Sequence, residues 1–515
     1  MNLDKITQQY LELFPGDLSK NPVQRQTPGV LYALVNPVGF DNPELILFNE
    51  KLSNEIGLGN IENDKDRSFL NANDLPDNLK PYATAYAGHQ FGNWAGQLGD
   101  GRAIFIGEIE NSEGKKTELQ WKGAGATPYS RHADGRAVLR STVREYLMSE
   151  AIHHLKIPTS RALSMSFTGE NVVRDIMYNG NPKAEKGAVM MRTAESFLRF
   201  GHFELVSAQK NFTLLKQLAD FTIENYFTEI KSEGKQKYAD WFRLVSEKTA
   251  DMIVEWFRVG FVHGVMNTDN MSILGLTIDY GPFSMMDDYD LNFTSNTTDL
   301  PGRRYAFGEQ GKIAQWNIWQ LANALYPLFE EDAAPLQRVL DDFGDYFWKK
   351  HDEMLCHKFG FDSLKQEDEK FFTDWQMLMQ DMKIDYTLFF SKLENWKSGF
   401  NLKEHFGDIF YKTNSEENYQ KLNDWLSNYT QRLSLNSISE KESKQLMQEN
   451  NPKFILRNYL LFECIEELNN GKTTLLNKLI HALENPYTEI YPEFSVKRPS
   501  KYDEVPGCSM LSCSS

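Results

Sequence analysis

The sequence predicts an α+β protein in which a small mixed half precedes a larger helical half. Strand-like stretches and glycine-rich loops fill residues 81–200, and apolar residues then recur at helical spacing over much of residues 201–400. This spacing is clearest in residues 203–231 and 248–259, which are each predicted to be helical. No internal repeat or low-complexity tract divides the 515 residues, so one interlocked body with a large core is expected.

The order of the two halves favours a bilobal, protein-kinase-like fold with an extension at each end, although many unrelated α+β proteins share this order. Residues 1–80 are polar and rich in Asn, Asp and Pro, and are expected to form an N-terminal extension packed on the core. The N-lobe would cover residues 81–200 and the C-lobe residues 201–400. Residues 401–515 would form a helical C-terminal extension that ends in a cysteine-bearing tail.

The formal net charge of −17 disfavours binding to nucleic acid or to an anionic membrane, because both require a basic surface. A polyphosphate site would therefore have to be a local island of basic residues. No apolar run approaches the roughly 20 residues that span a bilayer. The first residues lack the basic and apolar regions of a signal peptide, so a cytoplasmic location is expected.

The cysteines are too few and too scattered for a disulfide framework, which favours reduced thiols. Two of them, Cys508 and Cys513, lie in the small polar tail of residues 507–515 (GCSMLSCSS). Such a tail is expected to be mobile. Its thiols are either incidental groups on an exposed segment or groups with a redox role, and the sequence leaves both interpretations open.

A glycine-rich segment covers residues 92–102 (GNWAGQLGDGR) and runs into an apolar stretch. Glycines allow a backbone to approach phosphates closely with its N–H groups exposed. The spacing differs from that of a P-loop and from a dinucleotide fingerprint. A cluster of β-turns is therefore an equally good interpretation of this segment alone.

A strand and a helix that follow carry a possible ion pair. Residues 117–122 alternate as a strand that ends at Lys122, the position where a kinase holds its phosphate-binding lysine. Residues 141–152 form a predicted helix in which Glu145 shares a face with apolar residues, so this carboxylate needs a cationic partner. The alternatives are an ordinary lysine at a strand end and a local capping box between Thr142 and Glu145.

Two arginines, Arg192 and Arg199, lie seven residues apart in residues 187–202. If this segment is helical, both project from one side and would form a phosphate clamp. Surface salt bridges are the alternative explanation for the pair.

The segment with the most chemistry is residues 263–281 (HGVMNTDNMSILGLTIDYG). Apolar stretches flank Gly275, and a hairpin between them would bring Asn270 and Asp279 together as oxygen ligands for Mg²⁺ or Mn²⁺. Asp269 would then be free to act as a base, as in a kinase catalytic loop, although kinases separate the base from the Asn by several residues. Three later acids are interpreted as structural caps or a fallback metal site: Asp287, Asp288 and Asp290.

Specific motifs make nearly the whole chain resemble the selenoprotein O family, also called YdiU. They are residues 86–92 (YAGHQFG), 97–102 (QLGDGR), 119–125 (LQWKGAG), 267–273 (NTDNMSI) and 304–307 (RYAF), together with the cysteine-bearing tail. The resemblance implies a kinase fold in which ATP is flipped, so that AMP is transferred to Ser, Thr or Tyr hydroxyls of proteins. Some members carry selenocysteine near the C-terminus, where this chain has ordinary cysteines.

The resemblance also implies roles for individual residues. Asp269 would accept the proton, Asn270 and Asp279 would hold the metal, and Glu145 would pair with Lys122. The implied contacts to ATP are Gly99, Gly101, Arg102, Lys122, Asp134, Gly135, Arg192, Arg199 and, through the metal, Asp279.

The substrates implied are ATP and protein hydroxyls, with UTP as an alternative nucleotide because UMP transfer is associated with the family. Residue spacing alone does not reveal a flipped nucleotide. Transfer of the γ-phosphate by an atypical kinase and a pseudokinase scaffold without turnover therefore remain alternatives.

Overall fold

The computed structural model describes residues 1–330 and 332–512, and a mixed β-sheet is the largest unit of its first half. The strands are β1 (Gly16–Asp17), β2 (Tyr32–Leu34), β3 (Glu44–Phe48), β4 (Tyr82–Gln90), β5 (Asn93–Gly99), β6 (Ala103–Glu110), β7 (Lys116–Lys122), β8 (Ala137–Val138), β9 (Arg161–Arg174), β10 (Lys183–Ala194), β11 (Phe261–Val262) and β12 (Ser284–Met285). In the described residues the large sheet has ten strands, with the order β1-β2-β4-β6-β7-β10-β9-β3, while β5 pairs with β4 and β8 with β10. Among the strands of the described residues, only β1 and β2 pair in parallel, and β11 and β12 form a separate ribbon.

Helices dominate the described chain after about residue 200. The α-helices are α1 (Gln9–Leu13), α2 (Glu50–Glu55), α3 (Asp64–Leu70), α4 (Leu139–His154), α5 (Phe200–Ala208), α6 (Phe212–Tyr226), α7 (Gly234–Val259), α8 (Gln310–Leu325), α9 (Ala334–Phe359), α10 (Asp368–Met382), α11 (Tyr386–Leu393), α12 (Leu402–Phe406), α13 (Glu416–Leu433), α14 (Glu440–Asn450), α15 (Asn458–Asn469) and α16 (Thr474–Leu483). Short 3₁₀ turns lie at Leu3–Lys5, Thr268–Asn270, Thr297–Asp299, Phe307–Glu309, Tyr326–Phe329, Gly407–Ile409, Pro492–Phe494 and Ser500–Tyr502. The predicted α+β class is confirmed. Among these described helices, none combines the length and apolar character needed to cross a bilayer.

Alternation along the strands gives the two faces of the sheet different roles. Trp121 and Met191 are paired neighbours on β7 and β10, and both are fully buried in one apolar cluster. Successive side chains point to opposite faces of a strand, so Lys122 and Arg192 leave the sheet on the other face. This face is covered by α4 and the helical half, whose apolar residues form the larger cluster.

The first 80 residues are part of the sheet. Their strand β2 pairs with β4 through Tyr32 and Thr84, and β3 pairs with β9 through Glu44 and Phe167. This segment was expected to pack on the core, and it in fact supplies three strands that include both ends of the strand order.

The two predicted helical segments are helical in the structure, but the helices begin and end at other residues than predicted. Residues 203–231 were predicted to be one helix, but α5 ends at Ala208 and α6 begins at Phe212. The break lies at Asn211, whose side chain accepts a hydrogen bond from the Leu214 amide and caps α6. Residues 248–259 are only the second half of α7, which ends at Gly260 in the left-handed conformation typical of a helix C-terminus.

The tail is ordered as far as the structure describes it. The backbone amide of Thr297 donates to the Leu511 carbonyl at 2.7 Å, and Cys508 is 0% exposed. Burial raises the pKa of the Cys508 thiol to about 11. The expectation of a mobile, exposed segment is therefore wrong for Cys508, and Cys513 lies outside the described residues.

Candidate active site

A cleft of about 770 Å³ lies between residues 265–282 and the face of the sheet that carries Lys122 and Arg192. It collects most of the residues that the sequence singles out. The predicted site residues that line it are Gly99, Gly101, Arg102, Lys122, Gly135, Arg192, Asp269, Asn270 and Asp279. Glu145 and Arg199 lie directly behind this lining and reach it through hydrogen bonds.

An ion pair joins the end of β7 to the middle of α4. The ammonium of Lys122 donates a hydrogen bond to the Glu145 carboxylate, whose other oxygen accepts from Arg192 at 2.8 Å. The Thr142 hydroxyl donates to the Val138 carbonyl, and Val138 rather than Thr142 caps the helix, so Glu145 takes no part in a capping box. Burial lowers the pKa of Lys122 to about 8. Burial opposes ionisation of Glu145 as well, but Lys122 and Arg192 hold its pKa below the ordinary value.

The two arginines converge on one carboxylate by a route that the sequence did not indicate. Arg192 lies in strand β10 and Arg199 immediately precedes α5, so the helix considered for residues 187–202 does not form between the two arginines. The Arg192 guanidinium donates to Asp279 Oδ1 at 2.7 Å, while that of Arg199 donates to Oδ2. Lys122 Nζ lies 3.8 Å from Asp279 Oδ1. Although burial opposes ionisation, Arg199 and Arg192 hold the pKa of Asp279 well below its usual range.

The hairpin predicted around Gly275 does not form. Instead of pairing with each other, the two halves of this segment bridge to other parts of the chain, Ser272 to Arg199 and Thr277 to Thr159. Each half is therefore held by a different part of the chain. Asn270 and Asp279, near the two ends of the segment, still line the same cleft.

The Asp269 carboxylate has fewer hydrogen-bond and charge partners than the Asp279 carboxylate. It lies in the 3₁₀ turn Thr268–Asn270 and is 7% exposed. Its Oδ2 accepts a hydrogen bond from Gln90 Nε2 at 3.1 Å, while Oδ1 is buried and has no partner among the described residues. Arg199 reaches only its backbone carbonyl, at 2.8 Å. Burial raises the pKa of Asp269 to about 6, so this carboxyl can take up and release a proton close to neutral pH.

The donor set of the cleft fits a hard cation that takes further ligands from phosphate. Asn270 donates its amide N–H to the Val265 carbonyl at 2.9 Å, which turns its amide oxygen away from that partner. Carboxylate and amide oxygens suit Mg²⁺ or Mn²⁺. No group of three or more His, Cys, Asp or Glu that could hold a metal occurs in residues 1–330 and 332–512, so a cation bound here would need further ligands from phosphate or water.

The three later acids have structural partners. Asp287 bonds to Arg457 and Arg498, Asp288 lies 3.5 Å from Lys383, and Asp290 accepts from the Asn292 amide at 2.8 Å. These contacts favour the interpretation as caps and ion pairs over a fallback metal site.

The cleft is a basic island in an acidic protein, as the net charge requires of a phosphate site. Arg131, Arg136 and Arg174 line it together with Arg102. Arg102 makes no ion pair within the described part of the chain, and burial lowers its pKa. A cation that lacks an internal partner is available to an anionic ligand.

Two of the predicted glycines are required by close approaches. A Cβ at Gly99 would lie 2.4 Å from the Tyr129 ring, and a Cβ at Gly135 would lie 2.1 Å from the Gly125 carbonyl oxygen. Both distances are far below van der Waals contact, so any side chain would displace the loop. Asp134 lies outside the cleft lining, and its carboxylate is bound by the Arg174 guanidinium at 2.7 and 2.9 Å.

Several residues in the cleft or next to it carried no role in the sequence analysis. Gln90 bonds to Asp269, and Tyr305 donates its hydroxyl to Asn267 Oδ1 at 2.6 Å. Gln90 and Tyr305 both fall in the motifs at 86–92 and 304–307, which were a signal that they matter. Arg174 stands in no motif, and nothing in the sequence marked it.

Buried cations in one cleft with a carboxyl whose pKa burial raises to about 6 suit an enzyme that acts on a phosphate-bearing substrate, and comparison with known proteins shows that the chain is a nucleotidyltransferase. The family model described as "Protein adenylyltransferase SelO" matches residues 17–484. The chain belongs to this family.

Relatives from three organisms support the assignment over almost the full length. Each is named "Protein nucleotidyltransferase YdiU". The protein of Cytophaga hutchinsonii is 47% identical, that of Aromatoleum aromaticum 44% and that of Flavobacterium johnsoniae 43%, and each match covers 99% of both chains. The expectation of a nucleotidyltransferase is confirmed.

Proposed function

We propose that this chain transfers AMP from ATP to Ser, Thr or Tyr hydroxyls of proteins and releases pyrophosphate. The observation that carries the proposal is the pairing of a cationic cluster with a separate base in one cleft. Lys122, Arg192 and Arg199 surround Asp279, while the Asp269 carboxyl has a pKa of about 6 and receives no hydrogen bond from these cations among the described residues.

In this reaction Asp269 takes the proton of the acceptor hydroxyl as its oxygen attacks the α-phosphorus of ATP. The bond between the α-phosphorus and the bridging oxygen breaks, and pyrophosphate leaves with the bond electrons. Arg102 and Lys122 offset the charge that develops on the phosphates. Burial of the cleft strengthens each of these contacts, because the local dielectric is lower than that of water.

Asn270 and Asp279 would hold the divalent metal, Mg²⁺ or Mn²⁺. When bound, this ion neutralises phosphate charge and orients the triphosphate. The cations around Asp279 keep the carboxylate ionised, and an ionised carboxylate is the form that binds a metal.

The proposal includes a protein-kinase-like bilobal fold, with an N-lobe at 81–200, a C-lobe at 201–400 and extensions at 1–80 and 401–515. It is supported by a strand-end lysine paired with a helix glutamate, followed by the segment that carries Asp269 and Asp279. The proposed location is the cytoplasm, in keeping with the free thiols of the described cysteines.

ATP labelled at the α-phosphate or at the γ-phosphate tests this function. We expect label on protein only from the α position, with release of pyrophosphate. Label from the γ position alone would instead identify an atypical kinase. Nucleotide binding without transfer of either label would identify a pseudokinase scaffold. A parallel reaction with α-labelled UTP measures whether UMP is also transferred.

A further inference from the structure

The tip of the β4–β5 hairpin is held against the segment that carries Asp269. Phe91 and Gly92 form the two-residue turn, with φ of +50° and +83°. Positive φ is unfavourable for a bulky residue such as Phe91, so the surrounding contacts must stabilise it. Its amide N–H lies 3.1 Å from Asn267 Oδ1 and 3.0 Å from the Tyr305 hydroxyl. The tip therefore has a fixed position relative to Asp269.

This position makes the two oxygens of Asp269 unequal. Oδ1 is shielded from solvent and faces Gly88, where an added Cβ would lie only 2.7 Å away. Oδ2 accepts the amide N–H of Gln90 at 3.1 Å. A carboxylate oxygen can accept more than one hydrogen bond, so Oδ2 retains room for a second donor.

We propose that Gln90 is a positioning residue, which holds the Asp269 side chain so that Oδ2 is the oxygen that receives the proton of the acceptor hydroxyl. The inference rests on the proposed function and adds the group that orients its base. Because Oδ1 is shielded from solvent, the proton is assigned to Oδ2. Gln90 itself lines the cleft and belongs to the motif at 86–92, which has no other role in the proposed reaction.

Gln90→Met and Gln90→Glu separate positioning from simple space filling. Methionine removes the donor and keeps the length of the side chain. Glutamate keeps the shape of Gln but places a second carboxylate against Oδ2. A hydrogen bond to a charged group contributes about 1.5–3 kcal/mol, which corresponds to roughly a 10- to 100-fold loss of kcat for Gln90→Met. We expect a larger loss for Gln90→Glu.

Two further measurements complete the test. Calorimetric ATP affinity should stay within about 2-fold in Gln90→Met, because this change adds no charge and the cationic cluster is untouched. The matched control is Gln97→Met on β5, which makes the same chemical change where the amide bonds Thr27 and Arg25 instead, and it should keep wild-type kcat. Thermal unfolding verifies that all three variants fold.

Wild-type kcat in Gln90→Glu would show that only the shape of the side chain matters and would overturn the inference. For Gln90→Met, undiminished kcat or an ATP affinity that falls in parallel with kcat would overturn it as well. These outcomes differ from failure of the proposed function, which is seen when the unsubstituted enzyme transfers no α-label, and which would remove the inference with it.

Discussion

Asp269 and Asp279 lie in the same cleft and are both shielded from water, yet their surroundings drive their pKa values in opposite directions. Asp279 is bound by two guanidinium groups and approached by an ammonium, which hold its pKa well below the ordinary range. Asp269 receives one side-chain amide, and burial raises its pKa to about 6. The charges of neighbouring residues, rather than the extent of burial, therefore keep Asp279 ionised and allow Asp269 to exchange a proton.

The largest effect is expected from Asp279→Ala. This change should reduce AMP transfer by at least roughly 10³-fold and weaken metal-dependent ATP binding, because it removes a proposed metal ligand and leaves the buried Arg199 guanidinium without its carboxylate partner. Radiolabel transfer and calorimetry with and without Mg²⁺ or Mn²⁺ measure both effects. Asp290→Ala, which changes an acid that only caps a turn, is the control. Undiminished activity in Asp279→Ala would remove the metal assignment.

The second effect concerns the other aspartate. Asp269→Asn should lower kcat by roughly 10²- to 10³-fold because the proposed general base is lost, while ATP affinity stays close to wild type. Single-turnover transfer and calorimetry measure the two quantities. An equal loss of ATP affinity would mean that Asp269 acts in binding, and the contrast with Asp279 would disappear.

A third comparison concerns cations with and without an internal partner. Arg102→Met should weaken ATP binding by roughly 10-fold with little change in Tm, because Arg102 has no ion pair within the described residues. Arg192→Met should lower Tm by several degrees, because it leaves Glu145 and Asp279 each with one cation fewer. An equal fall in Tm for both variants would contradict the idea that Arg192 stabilises the fold and Arg102 does not.

The smallest effect extends the comparison to Glu118, a carboxyl with only neutral hydrogen-bond donors. Burial raises its pKa to about 7, so the folded protein binds its proton more tightly than the unfolded chain does. Its contribution to stability therefore falls as pH rises from about 4.5 to 7 and is constant above that range. Glu118→Gln should raise Tm by about 1–3 °C more at pH 8 than at pH 5. A gap that does not change with pH would contradict this.

Local pattern predicted those parts of the site that depend on a single element. An alternating strand that ends at Lys122 and a helix that carries Glu145 could both be read from periodicity, and the two side chains meet in the structure. The α+β order was accessible for the same reason. The strands of residues 1–80 were not, because they are two to five residues long and pair with distant strands.

Contacts between distant segments could not be read from spacing. Gln90 and Asp269 are 179 residues apart, and no periodicity connects them. Arg192 and Arg199 were expected to share a helix face, but a strand followed by a turn brings them to Asp279. Their common purpose as cations was predictable from residue type, whereas the geometry required the fold.

The bond between Thr297 and Leu511 has a consequence for the synthesis of the protein. These residues are separated by 214 positions. At a ribosomal rate of about 5–20 residues per second, Thr297 waits roughly 10–40 seconds for its partner. During that time, the segment that leads from Thr297 to Tyr305 lacks a contact that holds it in the finished protein. This segment is therefore expected to take up its final position only after residues 505–512 have been synthesised and have folded back.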